Sequence, residues 1–149
     1  MLAMDASASN YDDRYLAGIV LFNQRDFFEA HEVWEALWLD RPGDNKRFVQ
    51  ALIQAAVGLL HFTNGNLRGA AKLYRSARKY MEAYGQPHYL GLDVTGFWQQ
   101  MEKCFAQVLA VEDPDRSVEI DPELIPTIEL DPPPAVWPDP APFLEEDEH

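Results

Sequence analysis

The residues best suited to chemistry are a histidine and a carboxylate one helical turn apart within residues 26–39. His31 and Glu35 stand four positions apart, so in a helix their side chains are close enough to interact. At about 100° per residue, they fall beside the bulky Trp34 and Trp38. This spacing predicts an imidazole and a carboxylate at a hydrophobic interface.

A second polar strip is predicted on the next helix, over residues 44–64. This segment is apolar on nearly every side, except that Gln50, Gln54 and His61 fall within about 40° of one another. Buried amides and imidazoles need hydrogen-bond partners. Because no acidic residue occurs from position 45 to position 81, we expect the strip to face the histidine and carboxylate of the preceding helix.

The candidate site could hold a metal ion through His31, Glu35 and His61, since imidazoles and carboxylates are common ligands. The spacing differs from the zinc motif His-Glu-x-x-His, because Glu35 stands where the second histidine would be. A carboxylate-bridged di-iron site lacks ligands. The full candidate set is His31, Glu32, Glu35, Trp38, Gln50, Gln54 and His61.

Three metal-free interpretations use the same groups. A hydrolase would employ Glu35 as a general base with His31 or His61 as its partner. A ligand-binding protein would use the polar groups for recognition in a pocket. A structural domain would join them in a buried hydrogen-bond network that fixes the register of two helices, which is the usual role of such groups. The motifs specify neither a reaction nor a cofactor, and the network is the favoured interpretation.

Hydrophobic periodicity predicts an all-α, up-and-down helical bundle of about five helices. They span about residues 12–24, 26–39, 44–64 and 67–84, and the fifth begins at about residue 93 or 95 and ends at 109. The lone Cys104 forms no internal disulfide, and no apolar run approaches the roughly 20 residues that cross a bilayer. The N-terminus does not resemble a signal peptide. We expect no membrane association and a location in the cytoplasm or the plastid stroma.

Charge and proline content divide the chain near residue 111. Residues 1–111 carry 11 basic and 12 acidic groups, whereas residues 112–149 carry one basic and 13 acidic groups together with nine of the 11 prolines. The sequence therefore predicts a bundle domain over residues 1–111 and an acidic, irregular extension over residues 112–149. The apolar residues of the extension predict that it lies extended over the bundle to about Trp137.

The fourth predicted helix carries a row of basic residues on its outer side. Its members follow i, i+4, i+7, i+11 spacing: Arg68, Lys72, Arg75 and Lys79. A solvated helix face is the favoured interpretation of this row, which could instead bind an anionic partner or be contacted by the acidic extension. The net charge of −13 disfavours nucleic acid. A homodimer through an exposed aromatic patch is the expected assembly.

The chain resembles a widespread bacterial, archaeal and plastid family, the domain of unknown function numbered 309. The resemblance covers about residues 11–84 and includes the segments 27–35 and 48–54, His61 and the corner Gly65-Asn66. It rests further on Phe22, Trp38, Gly69 and Ala70. The resemblance implies an all-α, up-and-down bundle and no established activity. The acidic extension lies outside the pattern and looks like that of cyanobacterial or plastid members.

Overall fold

The computed structural model describes residues 11–40, 43, 45–84, 88–110 and 118–145. Within these ranges it contains six helices, α1 Asp13–Asn23, α2 Phe27–Asp40, α3 Lys46–Thr63, α4 Leu67–Met81, α5 Val94–Ala110 and α6 Ala141–Glu145. A two-stranded hairpin, β1 His88–Tyr89 and β2 Leu92–Asp93, precedes α5. No helix in this part of the chain is long and apolar enough to cross a membrane.

Helices α1 to α4 pack against one another in chain order, and α5 packs on α4. The tight corners explain this arrangement. Between α1 and α2 the chain reverses at Arg25, whose φ of 73° is left-handed. Between α3 and α4 it reverses at Gly65, with φ of 85°, and the Asn66 side chain then caps α4 by accepting a hydrogen bond from the Gly69 amide at 3.0 Å. Short corners bring neighbouring helices together in antiparallel pairs.

Aromatic side chains fill the core between the helices. Trp34 is fully buried, and its ring centroid lies 6.0 Å from that of Phe22. The Trp34 indole Nε1 donates a hydrogen bond to the Tyr15 carbonyl oxygen at 3.1 Å, which joins α2 to α1. Phe62 and Tyr74 pack on Phe105 and so join α3 and α4 to α5.

The all-α bundle is confirmed, with helices α1 to α5 close to their predicted positions. The predicted fourth helix ends earlier, because its last turn tightens into a 3₁₀-helix over Glu82–Tyr84. The hairpin and α6 were not predicted. Helix α6 forms despite the prolines because Pro142 lies in its first turn, where the missing N–H has no helical partner, and the Asp139 carboxylate accepts a hydrogen bond from the Ala141 amide at 3.0 Å.

The acidic extension is described over residues 118–145, which we call the strap; the predicted domain boundary near residue 111 lies outside the described residues. The strap contains a further 3₁₀-helix, Pro122–Leu124. Ile128 and Leu130 of the strap are buried, and Leu130 forms a β-bridge with Leu92 of the hairpin. Asn23 at the end of α1 accepts a hydrogen bond from the Ile128 amide at 2.8 Å and donates one to the Ile128 carbonyl oxygen at 3.0 Å.

The predicted contact between the extension and the basic row stays a prediction, because residues 112–117 and 146–149 of the extension lie outside the described residues. The described strap forms hydrogen bonds with Tyr11 before α1, with the end of α1 and the corner after it, with the hairpin and with α5. Helix α6 then packs against α2. Apolar burial and backbone hydrogen bonds position the strap, and these interactions are stronger than those between exposed charges.

Candidate functional site

Helix α2 turns one of its predicted chemical groups, Glu35, toward solvent. Phe28 and Leu39 are 52% and 70% exposed, and Glu35 lies between them on the same exposed side. His31 is half-buried, and its Nδ1 donates a hydrogen bond to the Phe28 carbonyl oxygen at 2.5 Å. Because Nδ1 is the donor, Nε2 of the neutral ring remains available as an acceptor or ligand. Glu32 is also half-buried.

The polar strip on α3 has separate partners. His61 is half-buried, and its Nδ1 lies 3.4 Å from the Nδ2 of Asn66, the residue that caps α4. Gln50 and Gln54 are half-buried, and the Gln54 Oε1 is buried without a hydrogen-bond partner. His61 therefore supports the corner between α3 and α4.

The expected buried network is not formed. Among the hydrogen bonds of the described residues, none joins His31 or Glu35 to Gln54 or His61. The prediction that Glu35 is buried is wrong, because the buried residues of α2, which are Phe27, Ala30, Val33, Trp34 and Leu37, are centred on Ala30. This centre lies about 60° around the helix from the line of Phe27, Trp34 and Trp38 on which the prediction was based. The rotation moves Glu35 out of the interface.

The part of the chain that the structure describes contains no preformed group of metal ligands. There, no set of three or more His, Cys, Asp or Glu side chains lies close enough together to hold a metal ion. His31, Glu35 and His61 therefore do not converge as a ligand set. Binding of a ligand by individual members of the candidate set stays a prediction.

Trp38 has an environment that the sequence does not reveal. Its ring is half-buried, and the Lys46 Nζ lies 4.3 Å from the ring centroid in a cation–π contact. Its Nε1 is buried without a hydrogen-bond partner, as is the Gln54 Oε1. One donor on α2 and one acceptor on α3 are thus left unpaired, which is a costly arrangement in a protein interior.

The basic row on α4, Arg68, Lys72, Arg75 and Lys79, is exposed along its whole length. Helical spacing places the four side chains within about 60° of one another. Arg78 lies at the edge of this face, where its Nη1 donates a hydrogen bond to the Tyr74 hydroxyl at 2.8 Å. The row is therefore a continuous positive surface on one helix.

A cleft opens at the C-terminal end of this row, with a volume of about 750 Å³. We call it the basic cleft; its lining residues are Arg47, Ser76, Lys79, Tyr80, Glu82 and Ala83. The Arg47 guanidinium lies 5.9 Å from the centroid of the Tyr80 ring. The sequence did not predict this cleft, because it joins the start of α3 to the end of α4 across 30 residues of chain.

Cys104, the single thiol, is buried on α5. Burial, and to a lesser extent the nearby Asp121 carboxylate, raises its pKa to about 11, whereas Arg25 opposes the shift. The thiol is thus protonated near neutral pH and is a poor nucleophile.

The fold and these surfaces define an all-α bundle domain with an exposed basic helix and a strap. Residues 15–73 match the family model described as Domain of unknown function (DUF309), so this segment of the chain is similar to that family. The resemblance predicted from the sequence is confirmed.

A search of curated proteins finds similarity to the "Uncharacterized protein YpuF" of Bacillus subtilis (strain 168). The two sequences are 33% identical over 104 residues, which cover 68% of this chain and 60% of YpuF. The chain thus spans about three fifths of the length of this relative. No solved structure matches the chain.

Proposed function

We propose that this chain is a non-enzymatic interaction domain that binds an acidic protein partner through the basic row of α4. The observation that supports this proposal is the exposure of all four cations on one face. The segment from residue 45 to residue 81 holds seven basic residues and no acidic residue, so its own side chains cannot neutralise the row. A surface of one charge sign favours association with the opposite sign.

The spacing of the row favours a helical or extended acidic peptide. Successive cations stand three or four residues apart, which is about 4.5 to 6 Å along the helix axis. Carboxylates at i, i+4 on a helix, or on alternate residues of an extended strand at about 7 Å, have comparable spacing. A short acidic peptide experiences less repulsion from the net charge of −13 than a long nucleic acid does.

The compartment that suits this domain is a reducing one, in the cytoplasm or the plastid stroma. Cys104 is free and buried, and it needs no oxidising environment. The strap is held by hydrogen bonds and apolar contacts that involve no disulfide.

The test is fluorescence anisotropy with a labelled helical peptide that carries glutamates at i, i+4 spacing. We expect the double variant Lys72→Glu/Arg75→Glu to bind at least about tenfold more weakly than the unmodified chain, because two attractive contacts become repulsive. Lys103→Glu is the matched control, since Lys103 is an exposed cation on a different helix, α5. Higher salt should weaken binding by the unmodified chain.

Equal peptide binding by the double variant and the control would contradict the proposed role of the row. Failure of the unmodified chain to bind the peptide would do the same. A single-stranded RNA oligonucleotide serves as the competing ligand. Tighter binding of this oligonucleotide than of the peptide would replace the acidic protein partner with a nucleic acid.

A second candidate function is the binding of a small polar ligand or a metal ion between α2 and α3. It is favoured by the unpaired donor and acceptor, the Trp38 Nε1 and the Gln54 Oε1, with the half-buried His31 on the same helix as Trp38. Elemental analysis of protein purified without added metal tests the metal version. A stoichiometric metal that is lost in His31→Ala would support it, and a metal-free protein with an unchanged fold would count against it.

A further inference from the structure

We propose that the exposed segment Val136–Trp137 of one copy docks in the basic cleft of a second copy. The second copy's segment docks in the first copy's cleft in the same way, which gives a symmetric dimer. This inference deepens the proposed function, because it identifies one acidic partner of the basic surface as a second copy of this chain. It uses Lys79, which the basic cleft shares with the basic row.

The segment that would dock is apolar, exposed, and flanked by acidic residues. Val136 is 76% exposed and Trp137 is 40% exposed, although large apolar side chains are usually more buried. Asp131 and Asp139 on either side of the pair are exposed. The strap therefore presents a valine and a tryptophan between two carboxylates.

The segment is anchored on both sides. Before it, the Tyr11 hydroxyl donates a hydrogen bond to the Pro132 carbonyl oxygen at 2.6 Å. After it, α6 packs against α2, where Phe143 and Leu144 are partly buried. Because both ends are fixed, Val136–Trp137 is displayed to other molecules without release of the strap.

The basic cleft has complementary chemistry. Arg47 and Lys79 supply two exposed cations, and the Tyr80 ring and Ala83 supply apolar surface. An indole can stack on an arginine or tyrosine side chain, and a nearby carboxylate can pair with the lysine. A cleft of about 750 Å³ has room for a valine and a tryptophan side chain together.

Pro132, four residues before Val136, and the basic cleft lie at the same end of the bundle. The Tyr11 hydroxyl donates a hydrogen bond to the Pro132 carbonyl oxygen, and the Tyr11 ring centroid lies 6.0 Å from that of Tyr15. The Tyr15 ring centroid lies 6.5 Å from that of Phe48, which follows Arg47 in the sequence. Phe48 in turn lies 5.5 Å from Tyr84, which follows Ala83 of the cleft. A two-fold axis beside this end would therefore place each exposed segment near the cleft of the other copy.

The first experiment is sedimentation equilibrium of the full chain over a range of concentrations. We expect the unmodified chain to dimerise, and we expect Trp137→Ala to raise the dimer dissociation constant at least about tenfold, since a buried tryptophan is a typical binding hot spot. Leu39→Ala is the matched control, because Leu39 is 70% exposed on the outer face of α2. This control should leave the dissociation constant unchanged.

The second experiment mixes two defective variants. Lys79→Glu damages the cleft and leaves the exposed segment intact, whereas Trp137→Ala does the reverse. Each variant alone should be monomeric, and their mixture should form a heterodimer with one intact contact. A dimer that persists in Trp137→Ala, or a mixture that does not associate, would overturn the inference.

A monomeric full chain would also overturn the inference, and acrylamide quenching of Trp137 would then show where the segment lies. Protection of Trp137 in the monomer would indicate docking in its own cleft. The dimer and the peptide-binding proposal can fail separately. Loss of peptide binding by Lys72→Glu/Arg75→Glu, measured in the Trp137→Ala background, tests the basic row without the dimer.

Discussion

Gly18 of α1 leaves space for the indole of Trp34. A Cβ atom at this position would overlap the indole ring, and the Trp34 Nε1 hydrogen bond to the Tyr15 carbonyl lies beside it. Glycine within a helix normally costs about 0.5 to 1 kcal/mol relative to alanine. At Gly18, that cost permits the close approach of α1 and α2 on which the buried tryptophan depends.

We predict that Gly18→Ala lowers the free energy of unfolding by about 1 to 3 kcal/mol, because overpacking outweighs the gain in helix propensity. Gly58→Ala in α3 is the control, since the nearest atom to its added Cβ lies 3.5 Å away, an ordinary contact. This control should be neutral or stabilising by up to about 1 kcal/mol. Urea denaturation measures both, and equal stability of the two variants would contradict the tight contact.

Individual side-chain environments were only partly predictable from the sequence. Periodicity identified the burial of Phe27 and Trp34, because both belong to the apolar side of α2. Periodicity also placed Glu35 at the interface. The spacing of apolar residues shows that one side of α2 is apolar, but it does not show which direction on that side points to the core. The packing of the small Ala30 against neighbouring helices sets that centre, and this information is absent from the local pattern.

The strap is the element that most changes the surface of the bundle. Asn23 pairs with the amide and the carbonyl oxygen of Ile128, as a strand residue would. Arg25 adds hydrogen bonds from its guanidinium to the carbonyl oxygens of Pro126 at 3.0 Å and Ile125 at 3.3 Å. The end of α1 thus holds the strap through polar contacts to its backbone.

We predict that Asn23→Ala releases the middle of the strap, because two partly buried hydrogen bonds are lost at a cost of about 1 to 3 kcal/mol. Hydrogen exchange at the Ile128 amide should become at least about tenfold faster. Gln24→Ala is the matched control at the neighbouring exposed position. In this control, hydrogen exchange at the Ile128 amide should be as slow as in the unmodified chain. Slow exchange at Ile128 in Asn23→Ala would show that the apolar contacts alone hold the strap.

The long helices were predictable and the strap's path was not. Each long helix repeats its apolar residues over several turns, which makes the signal strong. The hairpin strands have two residues each, too few for any alternation to be recognised. The strap is placed by pairs such as Asn23 with Ile128, which lie 105 residues apart and carry no local signature.

In the molecule as a whole, the described contacts that attach the strap to the bundle are not made by its acidic side chains. The extension carries 13 of the 25 acidic residues, yet the strap is fixed to the bundle through Ile128, Leu130 and backbone hydrogen bonds. The described ion pairs of the bundle join Arg14 to Asp12 and to Asp40. The described contacts between the strap and the bundle are therefore apolar contacts and hydrogen bonds.

We predict that removal of residues 118–149 lowers the free energy of unfolding by about 2 to 5 kcal/mol, because two buried aliphatic side chains are lost and core surface is exposed. The loss should be the same at low and high salt, since screening acts on charge pairs. Removal of residues 146–149 is the control, because it deletes three carboxylates and no described contact. A loss that disappears at high salt would indicate an ionic attachment instead.

Arg25 closes the corner after α1 in a left-handed conformation, which costs a residue with a side chain about 1 to 3 kcal/mol. Glycine or asparagine would close the same corner with less strain. The arginine is useful here because its guanidinium reaches the strap. In relatives that lack a strap, no hydrogen bond to a strap offsets the backbone strain of an arginine. Their evolution should therefore favour glycine or asparagine at the equivalent position.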